Sequence, residues 1–199
     1  MVMGRPREFD PDQVLDQALE LFWQKGYEGA SLSDIVHATG IGKASLYAAF
    51  GNKEAFFRKV LDRYHQRLNG CITDLLAAPT ARAGVERLLL RRAELLTQAG
   101  HPHGCLAINS DLVGRDGTAS VRRELIARRA ATERLIRERL ERARQEGELP
   151  ATTDSADLAR YVTTLIQGLS VHAASGANRN QLRRVVGIAM RQWPAATGQ

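Results

Sequence analysis

The residues best suited to chemistry form one short stretch, KASLYAAF, in which three polar side chains alternate with apolar ones. If this stretch is helical, Leu46 and Phe50 lie four residues apart and point inward. The outward positions are then Lys43, Ala44, Ser45, Tyr47 and Ala48. Small residues allow close approach to a DNA groove, alanine methyls can contact thymine methyls, and the polar groups can bond phosphates or base edges. Packing against the core is the alternative for Tyr47, although Phe50 already serves the core on that turn.

A second short helix and a tight turn precede this stretch. Ser31 followed by Asp34 predicts a capping box at its start, and Gly40 supplies the positive φ of the turn that ends it. Ile41 is predicted to pack between the two helices. Two short helices joined by a glycine turn have the layout of a helix-turn-helix, which offers its second helix to the major groove.

A longer helix is predicted before them. Asp10 can cap it, Pro11 fits its first position, and Gln13 completes a pattern like a capping box. Its apolar residues recur at helical spacing: Val14, Leu15, Ala18, Leu21 and Phe22. Gly26 is predicted to end this helix.

Further DNA contacts are predicted on both sides of these helices. Asn52 caps a fourth helix whose free amides, beside the Lys53 ammonium, can bind a phosphate. Arg5 and Arg7 form a short arm that can reach into the minor groove, or is simply a frayed terminus. The predicted set of DNA-binding residues is Arg5, Arg7, Ser31, Ser33, Lys43, Ala44, Ser45, Tyr47, Ala48, Asn52 and Lys53.

The net charge of +6 does not by itself support a DNA partner. Residues 1–69 hold nine basic and nine acidic residues, so the whole excess lies in the remainder of the chain. A solvated, ion-paired helix face over residues 118–147 accounts for this excess better than a second nucleic-acid surface. No apolar run is long enough to cross a bilayer and no secretory signal is recognisable, so a cytoplasmic protein without membrane association is expected.

Residues 10–57 resemble the N-terminal DNA-binding domain of the TetR family of bacterial transcriptional regulators. The pattern comprises Ala18, Phe22, Gly26-Tyr27, Ser31, Ile35, the run from Gly40 to Tyr47, Phe50, and Asn52-Lys53-Glu54. The resemblance implies an all-α homodimer of about nine helices per subunit, with a three-helix reader domain. It also implies phosphate contacts from Tyr47 and Lys53. Val36 and the Ala48-Ala49 pair depart from the residues common in the family.

The rest of the chain is predicted to be a regulatory and dimerisation domain. The predicted divisions are an arm (residues 1–7), a DNA-binding domain with its linking helix (8–68), the C-terminal helical domain (69–193) and a tail (194–199). In the family the final two helices pair with those of a second subunit. The residues predicted for that interface are Leu158, Val162, Leu165, Leu169, Leu182, Val186 and Met190.

A pocket for an unidentified small-molecule effector is expected within this second domain. Its candidate residues are polar groups on otherwise apolar helices, for which a satisfied buried position is the alternative: Cys105, Asn109, Tyr161, Thr164, Gln167 and His172. No cofactor is predicted, and the sequence His101-x-His103-x-Cys105 lacks the spacing of a familiar zinc site. The cysteines Cys71 and Cys105 are expected to be reduced and buried, with a redox switch as the alternative.

No phosphate-binding loop, dinucleotide motif or nucleophile elbow supports an enzyme. The sequence therefore predicts a TetR-like regulator, most simply a repressor that binds a pseudo-palindromic double-stranded DNA operator and is released by its effector. An activator, or a protein-interaction module that uses the same fold, is the alternative.

Overall fold

The computed structural model describes residues 9–113 and 119–194, without the side chains of residues 111–113. Arg5, Arg7 and the tail beyond residue 194 lie outside this range. The described part folds into nine α-helices and contains no strand, which confirms the all-α prediction. These helices are α1 (Pro11–Gly29), α2 (Leu32–Thr39), α3 (Lys43–Phe50), α4 (Lys53–Ala77), α5 (Ala81–Leu95), α6 (Leu106–Val113), α7 (Ala119–Gln145), α8 (Ser155–Ala174) and α9 (Arg179–Arg191).

The start of α1 differs in detail from the sequence prediction. The Asp10 carboxylate accepts a hydrogen bond from the backbone N–H of Asp12 at 2.9 Å, which caps the helix without help from Gln13. Near the other end, Gly26 adopts φ 70°, so the helix is broken there by a kink before one further turn. This kink folds Tyr27 onto the core, where its ring lies 4.9 Å from that of Phe57.

An aromatic cluster holds α3 and α4 against α1. Phe22 of α1 lies edge-on to Phe57 of α4 with ring centroids 5.0 Å apart, and Phe50 of α3 lies 4.8 Å from Phe56. All four rings are buried. Such pairs contribute about 0.5–1.5 kcal/mol beyond the area they bury, so the three-helix reader is fixed firmly to the first turns of α4.

Helix α4 connects the three-helix reader to the C-terminal helices. It has 25 residues, which corresponds to a length of about 37 Å. Its buried side continues from Phe56 past Tyr64 to Leu75, where it packs against α5. The helix therefore runs without a break past residue 68, the predicted end of the DNA-binding domain.

The C-terminal helices form a second layered body around α5. Helix α8 packs against α7 and α5, and α9 packs along α5. The exposed side of α7 carries ion pairs within the helix, such as Arg144 with Glu141 at 2.6 Å, in agreement with the solvated face predicted from its sequence.

Candidate nucleic-acid interface and regulatory cavity

The start of α2 is held by a complete capping box. The Ser31 hydroxyl accepts a hydrogen bond from the backbone N–H of Asp34 at 3.0 Å, and the Asp34 carboxylate accepts one from the backbone N–H of Ser31 at 2.9 Å. Lys25 of α1 also donates to Asp34 at 2.7 Å. The bonds from Lys25 and Ser31 hold the pKa of Asp34 well below its usual range. This carboxylate therefore stays charged and joins α1 to α2.

Helix α3 has a buried side and a fully solvated side. Leu46 and Phe50 are buried, whereas the five outward residues named in the sequence analysis are all exposed. The Tyr47 side chain is 39% exposed, and the Lys43 ammonium lies 5.7 Å from the centre of its ring. This exposure favours contact with a partner over packing as the use of Tyr47.

The start of α4 lies beside this surface. The Asn52 side chain accepts a hydrogen bond from the backbone N–H of Ala55 at 2.8 Å, so its first use is to cap the helix. The Lys53 ammonium lies 4.5 Å from the centre of the Tyr27 ring. Partial burial lowers the pKa of Lys53, while the carboxylates of Glu28 and Asp34 act in the opposite direction. The aromatic contact holds this cation in position at the amino end of the helix.

The predicted DNA-binding residues within the described range thus fall on α2, α3 and the start of α4. Ser33 is exposed on the first turn of α2, and Ser31 precedes it as the cap. The Ser31 hydroxyl both accepts from the backbone N–H of Asp34 and donates to the Asp34 carboxylate, at 2.7 Å. In Asn52 the side-chain oxygen caps the helix, and its amide NH2 group can donate a further hydrogen bond.

A cavity in the second part of the molecule lies between α4, α5, α7, α8 and the beginning of α6. Its volume is about 60 Å³, which is below the usual range for drug-sized sites and suits a small ligand. Its lining residues are Tyr64, His65, Leu68, Arg92, Cys105, Ala107, Ile108, Leu125, Arg128, Arg129, Thr132, Thr163, Ile166 and Gln167.

Of the six residues predicted for the effector pocket, only Cys105 and Gln167 line this cavity. Asn109 donates to the backbone carbonyl of Trp23 at 3.4 Å, and the Thr164 hydroxyl donates to the carbonyl of Arg160 in its own helix at 2.8 Å. Three of the remaining side chains lie on the exposed side of α8: Tyr161, Thr164 and His172. Their use in effector binding stays a prediction, because the sequence pattern alone does not show which side of α8 faces inward.

Sequence reasoning missed the cationic and aromatic residues of the cavity. Arg92 is only 7% exposed although it belongs to a helix with many arginines. It follows Leu88 by four residues and Leu89 by three, which places it on the apolar stripe of α5. An arginine at such a position was the available signal.

The dimer interface predicted from the sequence stays a prediction, and the burial of its residues within one subunit is as follows. Five of the seven are buried within the subunit itself, and Leu158 and Leu165 are half-buried. The buried five are Val162, Leu169, Leu182, Val186 and Met190. Helices α5 and α7 already cover the main apolar stripes of α8 and α9. The large apolar side chains left exposed on these two helices are Tyr161, Val171, Val185 and Ile188.

His101, which precedes α6, has a packing role. The Nδ1 atom of His101 lies 2.8 Å from the Glu20 carboxylate, and its ring stacks on Trp23 with centroids 6.0 Å apart. Within residues 9–113 and 119–194, no three side chains of the metal-ligating types come together. Burial raises the pKa of the Cys71 thiol, which makes it a poor nucleophile.

None of the described helices combines the length and apolar character needed to span a membrane.

Comparison with known proteins identifies both halves of the chain. Residues 14–60 match the family model of bacterial regulatory proteins of the tetR family, and residues 81–189 match that of the tetracyclin repressor-like C-terminal domain. The chain belongs to the TetR family of bacterial transcriptional regulators.

Individual relatives extend over nearly the whole chain. The chain is 36% identical over 193 residues to the HTH-type transcriptional repressor ComR of Escherichia coli, covering 96% of this chain and 92% of ComR. It is 31% identical to the repressor BdcR of the same organism, covering 91% of this chain and 87% of BdcR. The structure of a cysteine mutant of the TetR family regulator CifR with 26-base-pair operator DNA is 42% identical, with a TM-score of 0.91, covering 96% of this chain and 100% of that one.

Proposed function

We propose that this protein is a homodimeric transcriptional repressor that binds a pseudo-palindromic operator through α3 and releases it when a small molecule enters the cavity. The observation that carries the proposal is the exposed face of α3, where small side chains are flanked by Lys43 and Tyr47. It has the shape and the hydrogen-bonding groups that a major groove accepts.

The relatives support a role in repression. ComR and BdcR are repressors by name, and the CifR structure contains operator DNA of 26 base pairs. That length exceeds two turns of B-DNA, so it can hold two half-sites about one turn or more apart, as two reader domains of a dimer require.

Helix α4 supplies the connection between the cavity and the DNA. Lys53 begins the helix beside α3, and Tyr64, His65 and Leu68 of the same helix line the cavity. The separation from Lys53 to Tyr64 is 11 residues, about 16 Å along the axis. A ligand that favours one position of α4 therefore shifts the population of dimers whose reader domains fit the operator.

The decisive experiment is a fluorescence-polarisation titration against DNA that flanks the protein's own gene, at low salt. The same fragment with its half-sites scrambled measures binding that is independent of sequence. We expect clear preference for the native fragment. Equal affinity for the two fragments would contradict operator recognition.

Two variants test which residues make the contact. We expect Tyr47→Ala combined with Lys53→Ala to lower operator affinity by about tenfold or more. The slope of log affinity against log salt concentration should fall by about one, because one cation contact is lost. Lys59→Ala is the matched control, because Lys59 is an exposed lysine on α4 nearly two turns from its start. Unchanged affinity and salt slope in the double variant would exclude this interface.

A further inference from the structure

The cavity contains a buried arginine, Arg92, whose guanidinium has no carboxylate partner in the part of the chain that the structure describes. Arg92 is 7% exposed, and its Nε atom is buried without a hydrogen-bond partner. Among the described residues, no carboxylate lies within ion-pair distance of its guanidinium. A buried charge without an ion-pair partner lowers the stability of the folded protein. Arg92 is therefore expected to reduce the free energy of unfolding.

The other charged groups around the cavity do not neutralise Arg92. Arg128 also lines the cavity, but it is paired with Asp62 and Glu124, each at 2.7 Å. Glu133 stands beside the cavity, where it accepts a hydrogen bond from Thr163 at 3.3 Å. Among the described residues that line the cavity there is no aspartate or glutamate. The described lining of the cavity therefore presents the Arg92 guanidinium without a carboxylate facing it.

Apolar side chains make up much of the remaining wall. They come from α4, α6, α7 and α8: Leu68, Ala107, Ile108, Leu125 and Ile166. A ligand that satisfies this cavity has an apolar body and a single negative group. A carboxylate fits best, because it can accept two parallel N–H bonds from a guanidinium.

We infer that the effector is a small organic acid with an apolar body, and that Arg92 binds its carboxylate. This inference rests on the proposed function, since it names the chemical class of molecule that releases the DNA. Carboxylate binding would supply a counter-charge for Arg92, so that the same contact binds the ligand and offsets the free-energy cost of burying the guanidinium.

Matched ligand pairs test the inference by isothermal titration calorimetry on the full chain. The probes are butanoate, hexanoate, octanoate and benzoate, each with the alcohol of the same skeleton. We expect at least one acid to bind at least about tenfold tighter than its alcohol. Failure of every acid to bind, or binding of the alcohol with equal affinity, would overturn the inference.

Substitution of Arg92 tests whether its guanidinium is the group that binds the carboxylate. We expect Arg92→Met and Arg92→Gln to remove the preference for the acid, and Arg92→Lys to keep part of it. Arg91→Gln is the matched control, because it makes the same change of charge at the adjacent, exposed residue, which pairs with Asp74 at 3.3 Å. A preference that survives in both Arg92→Met and Arg92→Gln would exclude Arg92 as the binding group.

Thermal unfolding separates this role from a structural one. Because Arg92 is buried and pairs with no described carboxylate, Arg92→Met is expected to raise the Tm of the ligand-free protein while it abolishes selectivity. A lower Tm in both Arg92→Met and Arg92→Gln, with selectivity unchanged, would show that Arg92 only supports the fold.

Polarisation with operator DNA, measured on the same samples, distinguishes the two proposals. Loss of operator recognition with retained acid selectivity would refute the repressor alone. Intact operator recognition without acid selectivity would refute the effector class alone.

Discussion

The outer face of α3 and the cavity beside α5 both carry positive charge, but in opposite environments. Lys43 is exposed to solvent, where salt screens it and each contact adds little. Arg92 is buried among apolar side chains, where a single charge acts strongly and unscreened. An exposed surface of this kind suits many weak contacts with a long polyanion, whereas the cavity suits one strong contact with one small anion.

The largest expected effect on operator affinity comes from separating the two subunits, because a single reader domain binds DNA weakly. Val185→Asp combined with Ile188→Asp places charge on the exposed apolar side of α9. We expect monomers, and a fall in operator affinity of about a hundredfold or more because the second half-site loses its effective concentration. Light scattering coupled to size-exclusion chromatography, followed by polarisation, measures both.

The control for this variant is Ile126→Asp, because Ile126 is an equally exposed isoleucine on α7. It should leave the oligomeric state and operator affinity unchanged. A dimer that persists in the α9 variant would place the subunit interface elsewhere.

A smaller loss of binding is expected when a larger side chain is introduced either on the outer face of α3 or in the cavity. Ala44→Leu should cost about 1–3 kcal/mol of operator binding through a clash in the groove, with little change in Tm because Ala44 is exposed. Ala107→Leu should instead fill the cavity and weaken acid binding, while operator affinity in the absence of ligand is kept. Polarisation measures operator affinity and calorimetry measures acid binding in the two variants. Loss of the same function in both variants would contradict the assignment of separate roles to the two regions.

The smallest effect concerns the stability of the reader domain. Ser31→Ala removes the hydroxyl that caps α2 and should lower the free energy of unfolding by about 1 kcal/mol. Ser33→Ala, two residues further along, should change it by no more than about 0.5 kcal/mol. Urea denaturation followed by circular dichroism measures both values, and equal values would show that the cap contributes nothing.

The reader domain could be predicted from sequence because its determinants are local. The Ser31–Asp34 capping box, the turn at Gly40 and the inward pair Leu46 and Phe50 each depend on residues four or fewer positions apart. Local spacing also identified which side of α3 is exposed. These features need no knowledge of the rest of the fold.

The cavity and the apolar side of α9 could not be predicted in the same way. Their residues come from several helices, and periodicity alone does not say which neighbour covers which stripe. The predicted interface residues Val162 and Val186 therefore turned out to be buried by α5 and α7, and Tyr161 turned out to be exposed. Arg92 was missed because nearby arginines in the same helix are solvated.

The unbroken course of α4 has a consequence for anyone who would redesign this protein as a biosensor. Tyr64, His65 and Leu68 belong to the helix that begins at the DNA surface, so changes there alter ligand choice and operator affinity together. Thr132, Ile166 and Gln167 line the same cavity from α7 and α8. A library confined to these three positions would search for new ligands while the output of the sensor stays constant.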